Sequence, residues 1–299
     1  MPELPEVETI RQDLRKKIID KTIVNVYLSK KAIIKGNRKN FLEIIKNNRF
    51  TEIERVGKLL IFVLPKDKFL LVHLKMTGQL IYLRKLPSPL GLPLGQGEKF
   101  EMIAGGHPEP SVKELPNKFT RISFEFQNGG ILYFNDIRRF GYMSIVDKLE
   151  LARVKEKFGL EPLDKKFNFN YFKQVLANTN KPIKVVLMDQ DKIAGIGNIY
   201  ASEACFEARI RPDRRVNSLS IKELQALQLA CIKVLKFAIK HRGTTFSDYV
   251  DAAGRGGYNI SFLKVYDRVG KSCKRRDGGV IEKVNLGGRG SFFCPICQK

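Results

Sequence analysis

The 299-residue sequence has no long apolar run, few cysteines and a shortage of acidic residues. No stretch approaches the roughly 20 apolar residues of a transmembrane helix. Its first residues are partly acidic, unlike the apolar region of a secretory signal. Five cysteines, two of them (Cys205 and Cys231) in apolar helical segments, favour a reducing compartment. We therefore predict an intracellular, cytoplasmic protein with no membrane segment.

The shortage of acidic residues leaves a large positive charge. The chain has 31 Asp and Glu against 54 Lys and Arg, for a net charge of +23. These basic residues are spread along the chain and not gathered in one tail. A basic globular protein of this kind indicates a polyanionic partner, most often nucleic acid. Charge alone leaves open a ribosome-associated or merely basic protein.

Apolar spacing in the first half of the chain predicts one helix followed by a β-sandwich. Over 5–19, apolar residues recur three and four apart, which is typical of an amphipathic helix. Short β-branched and aromatic runs separated by turn residues then continue to about 146, which favours an antiparallel sheet sandwich. These predicted strands lie at 22–28, 58–64, 69–74, 121–126 and 130–135. A Pro- and Gly-rich segment, about 86–116, is interpreted as a surface insertion.

The second half of the chain predicts helices and a final hairpin, so the fold class is α+β. The predicted helices cover 149–157, 168–177, 183–190, 198–208 and 220–240. Ser220 and Glu223 form a capping-box pattern at the start of the last one. From about 261 the chain, rich in Lys, Arg and Gly, predicts a β-hairpin. With 43% hydrophobic residues, the chain can bury one large core or two modest ones.

The N-terminal residues Pro2 and Glu3 form a possible catalytic pair. Removal of Met1 would expose a secondary amine whose pKa is about 8, so part of it is unprotonated at neutral pH. Such an amine can attack an electrophilic carbon, and the adjacent carboxylate can move protons. The alternative is that Pro2 merely starts a helix and Glu3 favours its positive end.

A second feature is the turn with two glycines at 195 and 197, directly before the predicted helix at 198. Glycines permit a tight turn that presents a helix N-terminus. The free N–H groups of such a terminus suit a phosphate.

Several strings, in order along the chain, resemble the formamidopyrimidine-DNA glycosylase family (Fpg, also called MutM). They are MPELPEVETI (1–10), VGK (56–58), HLKMTG (73–78), DIRRFG (136–141), LMDQ (187–190), AGIGNIYASE (194–203), DYV (248–250) and GRGSFFCPICQ (288–298). The resemblance implies a β-sandwich domain (1–148), a linker (149–165), a helix–two-turn–helix domain (166–260) and a zinc-ribbon-like hairpin (261–299). It places DNA between the two main domains.

The resemblance implies a bifunctional glycosylase and AP lyase of base excision repair, acting as a monomer on damaged double-stranded DNA. Pro2 would attack C1′ of a damaged nucleotide, with Glu3 assisting proton transfer. Lys58 and Arg289 would assist strand cleavage by β- and δ-elimination. The expected lesions are oxidised purines, 8-oxoguanine and formamidopyrimidines, and no organic cofactor is expected.

The resemblance also implies a set of DNA contacts. Met76, Arg138 and Phe140 would fill the gap left by an everted nucleotide, as an apolar wedge with a cation can. Phosphate contacts would come from Lys181, Lys184 and Asn198. Tyr258 lies in the loop (244–258) that would close over the everted base. Glu6 and Glu203 match acidic positions that line the active site.

The chain departs from the family pattern at the metal site. Two CxxC pairs would predict tetrahedral zinc. Cys294 and Cys297 form one pair, but the other has Cys273 followed by Arg276, which cannot ligate zinc. Either Asp277 or water completes a three-thiolate site, or the hairpin has lost its metal. In the latter case Arg275 and Arg276 would simply contact DNA.

Two further departures lie near residue 119. Phe119 stands where the family commonly has a DNA-contacting histidine, which removes that contact. The 86–116 insertion lies just before it. Two alternative functions stay open: an endonuclease VIII-type glycosylase for oxidised pyrimidines, and a non-catalytic protein that binds damaged DNA. The intact Pro2, Glu3 and Lys58 favour an enzyme.

Overall fold

The computed structural model describes residues 1–85, 100–106, 115–244 and 259–299. Among these residues the chain divides into two compact units. The first contains Met1–Pro2, Glu6–Arg153 and residues 242–244, and the second contains Glu3–Pro5, Val154–His241 and Asn259–Lys299. No helix in the described part of the chain is long and apolar enough to cross a bilayer.

The elements follow one another from helix to sheet to helix to hairpin. The helices are α1 (Leu4–Ile18), α2 (Arg38–Ile45), α3 (Lys148–Lys155), α4 (Phe169–Leu176), α5 (Ile183–Leu187), α6 (Asn198–Glu207), α7 (Ile221–Lys240) and α8 (Asn259–Phe262), with a 3-10 turn at Val216–Ser218. The strands are β1 (Ile23–Leu28), β2 (Ile34–Lys35), β3 (Glu52–Val56), β4 (Leu59–Leu64), β5 (Lys68–His73), β6 (Gly78–Lys85), β7 (Phe100–Gly106), β8 (Thr120–Phe126), β9 (Gly130–Asp136), β10 (Tyr142–Asp147), β11 (Glu282–Leu286) and β12 (Arg289–Phe293).

The first unit is the predicted sandwich of two five-stranded sheets. Their strand orders are β1-β8-β9-β6-β7 and β2-β10-β5-β4-β3. All pairs are antiparallel except the short β2, which runs parallel to β10. Side chains from both sheets form one core. Phe50 packs there on Phe62 and Phe124, with ring centroids 5.0 and 6.0 Å away.

The predicted helices and strands are confirmed, but other elements lie outside the predicted segments, among them α2 and β7. Helix α2 begins after Asn37, whose side chain accepts hydrogen bonds from the N–H groups of Lys39 and Asn40. Its apolar face is narrow, with only Phe41 and Ile45 buried, so its periodicity is weak. Strand β7 lies inside the segment that we interpreted as an irregular insertion, and it pairs with β6 along its whole length. The rest of that insertion, 86–99 and 107–114, lies outside the described residues.

The second unit is helical and has its own core. Apolar residues of α4, α5, α6 and α7 pack together, and Leu4 is part of the same cluster. The capping box of α7 is confirmed: Ser220 accepts from the Glu223 N–H, while the Glu223 carboxylate accepts from the Ser220 N–H. The predicted C-terminal hairpin is also confirmed, as β11 and β12. Gly287 and Gly288 both have positive φ at its two-residue turn, a conformation that glycine adopts without strain.

A buried ionic cluster ties α1 to the sheet in the first unit. The Glu8 carboxylate accepts hydrogen bonds from Arg11, Gln12 and Arg55. Arg55 projects from β3, and its side chain is 9% exposed. Burial raises the pKa of Glu8, but the bonds from Arg11 and Arg55 outweigh it and lower that pKa from 4.5 to about 2. The ionised carboxylate therefore stabilises the folded state.

We predict that Glu8→Gln lowers the free energy of unfolding by about 2 kcal/mol at pH 7, because Arg55 loses its counter-charge. Since the folded pKa is depressed, this contribution is complete above pH 4.5 and is lost as the pH falls toward 2. Urea unfolding of both proteins at pH 7 and pH 3 measures the difference. If the two proteins differ in free energy of unfolding by the same amount at pH 7 and pH 3, the stabilising role of the ionised Glu8 carboxylate is contradicted.

Candidate active site

Glu3 is held by the N-terminus of helix α6. Its carboxylate accepts hydrogen bonds from the N–H groups of Gly197 and Ile199, both at 2.8 Å, and of Tyr200 at 3.3 Å. The side chain is 1% exposed. The positive end of a helix stabilises a carboxylate in its ionised form. Pro2, which precedes Glu3 in the chain, is also buried, whereas Met1 is 40% exposed.

The turn before α6 is shaped to receive Glu3. A Cβ on Gly197 would lie 2.3 Å from the Glu3 Cδ atom, so no larger residue fits there. Gly195 has φ of +94°, and its carbonyl accepts from the N–H of Leu4 at 3.1 Å. The sequence correctly predicts a glycine turn that presents a helix N-terminus. The anion bound there is Glu3, and not the phosphate that we expected.

Lys184 joins α6 to the C-terminal hairpin. Its ammonium group donates to Asn198 Oδ1 (2.6 Å), Ser291 Oγ (2.8 Å) and the Gly290 carbonyl (3.0 Å). The residue is fully buried, and burial lowers its pKa to about 8. All three donors of the ammonium group are therefore used inside the protein. A direct phosphate contact by Lys184 does not fit this arrangement, which instead fixes the strand that starts at Arg289.

Three residues of the second unit that we predicted to contact DNA are wholly or partly accessible to solvent. Lys181 and Arg289 are exposed, and Asn198 is partly exposed. Arg289 is the first residue of β12, directly after the hairpin turn. It is close enough to Lys184 that its charge contributes to the lowered pKa of that lysine. The hairpin turn thus presents Arg289 near the N-terminal end of α6.

Lys58 lies in the tight turn between β3 and β4, next to the end of β5. Gly57 in that turn has φ of +55°. The sheet register pairs Leu59, the first residue of β4, with His73, the last residue of β5. Lys58 and His73 therefore lie at the same end of these two strands. Lys58 is 7% exposed and is therefore held in a defined position.

His73 is a functional candidate that our sequence reasoning did not single out. Its Nδ1 atom accepts from the Lys75 N–H at 3.0 Å, which leaves Nε2 as the donor. Burial, together with the charges of Lys75, Lys58 and Lys35, lowers its pKa from 6.5 to about 3. The imidazole is therefore a neutral N–H donor among three cations. The signal in the sequence was its place inside the HLKMTG string, in a chain that has only three histidines.

The three predicted wedge residues come together on two loops of the first unit. The guanidinium of Arg138 lies 4.8 Å from the ring centroid of Phe140 and donates to Met76 Sδ at 3.6 Å. Phe140 is 49% exposed. An aromatic ring, a thioether and a guanidinium thus form one exposed apolar tip that carries a positive charge.

Asp136 and Thr77 join these two loops beneath the tip. The Asp136 carboxylate accepts from the Thr77 hydroxyl and from the Gly141 N–H. The Thr77 oxygen in turn accepts from the Arg138 N–H at 3.0 Å. Asp136 is 1% exposed, so this is a buried network that fixes both loops.

The two further acidic residues of the prediction are anchors for the backbone. Glu6 accepts from the N–H and hydroxyl of Thr244, at 2.8 and 3.1 Å. Glu203 is 5% exposed and accepts from three successive N–H groups, those of Lys264, Val265 and Tyr266. These bonds give both carboxylates a structural role. That they also line an active site stays a prediction.

Tyr258 and the loop residues 245–258 lie outside the described residues. Phe119, at the position of the family histidine, packs below Lys118, whose Nζ atom lies 5.1 Å from the ring centroid.

The C-terminal hairpin brings four potential metal ligands together. The Sγ atoms of Cys273, Cys294 and Cys297 and a carboxylate oxygen of Asp277 all lie within 4.8 Å of one another. Cys273 Sγ is 3.9 Å from Cys297 Sγ and 3.3 Å from Asp277 Oδ2. Tetrahedral zinc with bonds of about 2.3 Å separates sulfur ligands by roughly 3.8 Å. The donor set therefore fits zinc, with Asp277 as the fourth group.

Two arginines next to this cluster have different positions. Arg276 is exposed, with φ of +57°, so its side chain is not part of the donor set. Arg275 lies over the Phe206 ring at 4.0 Å and donates to Cys297 Sγ at 3.2 Å. Its expected role as a DNA contact does not fit these bonds.

Two family models match the chain in order. Residues 1–143 match the formamidopyrimidine-DNA glycosylase N-terminal domain, and residues 158–250 match the H2TH domain of the same glycosylase. The chain belongs to the formamidopyrimidine-DNA glycosylase family. A relative from Desulforamulus reducens with that name is 39% identical, and the alignment covers 100% of this chain and 99% of the relative. Another from Streptococcus pneumoniae is 35% identical over the same shares.

Solved structures of family members share the whole fold. The Lactococcus lactis enzyme in complex with DNA that contains an abasic site has a TM-score of 0.84 and 29% identity, covering 100% of both chains. A mutant of that enzyme bound to DNA containing Fapy-dG has the same TM-score, identity and coverage. The resemblance of the short strings thus extends over the full chain.

We predict that Gly197→Ala lowers the rate of base release from damaged duplex DNA by about 100-fold, because the new methyl group displaces Glu3. Gly197 has φ of −131°, which alanine adopts freely, so backbone strain plays no part. A single-turnover assay measures the rate, and thermal unfolding verifies the fold. Gly129→Ala is the control: it brings backbone strain (φ +78°) but no contact within 4 Å. A rate equal to that of the parent would show that Glu3 tolerates displacement.

Proposed function

We propose that this protein is a DNA glycosylase with AP lyase activity that uses the Pro2 amine as its nucleophile. The observation that carries the proposal is the capture of Glu3 by the N-terminus of α6. It anchors the residue next to Pro2, and a nucleophile must be held in place to be effective. Membership of a DNA glycosylase family agrees with this reading.

The proposed reaction starts when removal of Met1 frees the Pro2 nitrogen. Its lone pair attacks C1′ of the damaged nucleotide, the C1′–N bond breaks, and the departing base takes up the proton that the Pro2 nitrogen loses. The C1′–O4′ bond then breaks, O4′ takes up a proton, and an iminium between the Pro2 nitrogen and C1′ is left. Loss of a C2′ proton from the resulting iminium then expels the 3′ phosphate, and a second elimination expels the 5′ phosphate. The Glu3 carboxylate, which accepts hydrogen bonds from three N–H groups, would stabilise the positive charge that develops at the sugar.

The substrate that we propose is duplex DNA with an oxidised purine, 8-oxoguanine or a formamidopyrimidine. C1′ of a stacked nucleotide is inaccessible, so the nucleotide must leave the helix. The tip formed by Met76, Arg138 and Phe140 suits the resulting gap, because it offers apolar surface to the stack and a donor to the unpaired base. The bound DNA of the Lactococcus lactis complex with Fapy-dG supports this substrate class.

We propose that basic side chains and one neutral donor of each unit bind the phosphates of DNA. In the first unit these are Lys58, Lys75 and the neutral His73. In the second they are Arg289, Lys181 and the partly exposed Asn198. The side chain of Lys35 lies 3.6 Å from the Tyr142 ring centroid and adds to the positive field around His73. Such contacts position DNA without reading its sequence.

The test is borohydride trapping on duplexes that contain 8-oxoguanine. We expect a covalent complex with the parent protein. We expect none when one glycine precedes Pro2, because the nucleophilic amine is then an amide. In Pro2→Gly the rate at which the covalent complex forms should fall at least tenfold. Trapping on a thymine-glycol duplex in preference to 8-oxoguanine would indicate the endonuclease VIII type. Binding of abasic DNA without trapping or nicking would overturn the catalytic proposal.

We also propose that the hairpin binds one zinc ion through Cys273, Cys294, Cys297 and Asp277. Bound zinc would supply a structural cross-link between the two ends of the hairpin region. Asp277 comes from the turn after the first cysteine, one residue beyond the position where the family has its fourth thiolate. The Arg275 guanidinium offsets part of the negative charge of three thiolates and one carboxylate.

Metal analysis of the purified protein should find one zinc per chain. Asp277→Ala removes one donor, so we expect its zinc affinity to fall at least tenfold in competition with a chromogenic chelator. Arg276→Ala is the matched control, and it should bind zinc like the parent because Arg276 is exposed. A parent protein with no zinc, and with the same melting temperature before and after chelation, would exclude the site.

A further inference from the structure

A cavity in the second unit shares only Tyr200, Glu203 and Lys264 with the sites described above. It has a volume of about 200 Å³ and is lined by residues of α6, of the C-terminal half of α7, and of the end of α8 with the two residues after it. Its apolar walls come from Tyr200, Val234, Phe237, Phe262 and Leu263. Pockets for complete small ligands are usually about 300–1,000 Å³. This cavity therefore has the capacity for a single large side chain.

Aromatic rings form the edge of this cavity. The ring centroids of Phe237 and Phe262 lie 5.4 Å apart at 87°, and His241 lies 4.1 and 4.7 Å from them. Phe237 is 43% exposed and Phe262 is 44% exposed. Two half-exposed phenylalanines in one cluster leave apolar area in water that a partner can cover. Edge-to-face ring packing also provides a surface for a further aromatic ring.

The charges around the cavity favour an acidic occupant. Glu203 is buried and saturated by backbone N–H groups. Glu207 is paired with both Lys233 and Lys264; burial raises its pKa, but these lysines outweigh that effect and lower it to about 2. The exposed residues of α7 include Lys222, Lys233, Lys236 and Lys240 and no acidic residue. The accessible face next to the cavity is therefore basic.

From this geometry we propose that the cavity is a docking site for an acidic segment of a protein partner that carries one large apolar side chain. The apolar side chain enters between Phe237 and Phe262, and the acidic residues lie along the lysines of α7. Duplex DNA matches the charge but offers no apolar group for the cavity. The proposal does not depend on the catalytic function, because the side chains that would bind the partner, those of Phe237, Phe262 and the lysines of α7, have no part in it.

The size of the site indicates a weak and reversible interaction. One side chain in a 200 Å³ cavity, flanked by exposed ion pairs, buries far less area than a stable interface of about 1,600 Å². The central aromatic contact should carry most of the affinity, and the lysines mainly its salt dependence. The charges would thus raise the association rate and the phenylalanine would set the specificity.

The test is fluorescence anisotropy with the full-length protein and a labelled peptide of aspartate and glycine with one central phenylalanine. The matched peptide has alanine in place of the phenylalanine. We expect the phenylalanine peptide to bind about tenfold more tightly, and its binding to weaken with salt. Phe262→Ala should lower that affinity about tenfold, and Lys236→Glu with Lys240→Glu should lower it several-fold.

Leu229→Ala is the control variant, because Leu229 is 63% exposed on the same helix but does not line the cavity. It should bind the peptide like the parent protein. All variants should retain the parent's melting temperature and its affinity for abasic duplex DNA. Equal binding of the two peptides, or an unchanged affinity in Phe262→Ala, would overturn the proposal. A parallel loss of DNA affinity in Phe262→Ala would assign this face to DNA instead.

Discussion

The hydrogen bonds between the Glu3 carboxylate and the first N–H groups of α6 are the constraint on which the site depends. They fix the residue next to Pro2, and they require a glycine at 197 because a Cβ there would overlap Glu3. They also occupy the helix N-terminus, which a phosphate would otherwise fill. One interaction thus both positions the N-terminal pair and occupies the first N–H groups of α6.

Buried carboxylates are used in the same way at several other points of this basic chain. Glu6 binds the backbone at Thr244, Glu203 binds three successive N–H groups, and Glu8 links a helix to a strand. Asp136 joins the two loops that carry the wedge residues. In each case the acid satisfies donors that would be costly to bury alone. Most of the lysines and arginines stay at the surface, where they suit a polyanion.

Prediction from the sequence succeeded where a local pattern carries the information. Periodicity located α1 and α7, and short apolar runs located five strands of the sandwich. It failed at α2, because two buried side chains make a weak period, and at β7, because that strand lies between Pro- and Gly-rich stretches. For the site, residue types suggested Pro2 and Glu3, and the resemblance to the family added Lys58. His73 was missed because its neutral state comes from burial in the folded sheet and from nearby lysines, two of which, Lys58 and Lys35, are distant in sequence.

The sequence by itself determined the fold class, the basic character and the family, since these depend on composition and on short ordered strings. Only the tertiary structure decided what each polar side chain binds. It turned Lys184 inward to Asn198 and the hairpin, brought Asp277 together with three cysteines, and made Glu3 the ligand of α6. The physical reason is that a buried polar group must find its partner within the fold. Those partners lie up to 197 positions away along the chain, beyond the reach of any local pattern.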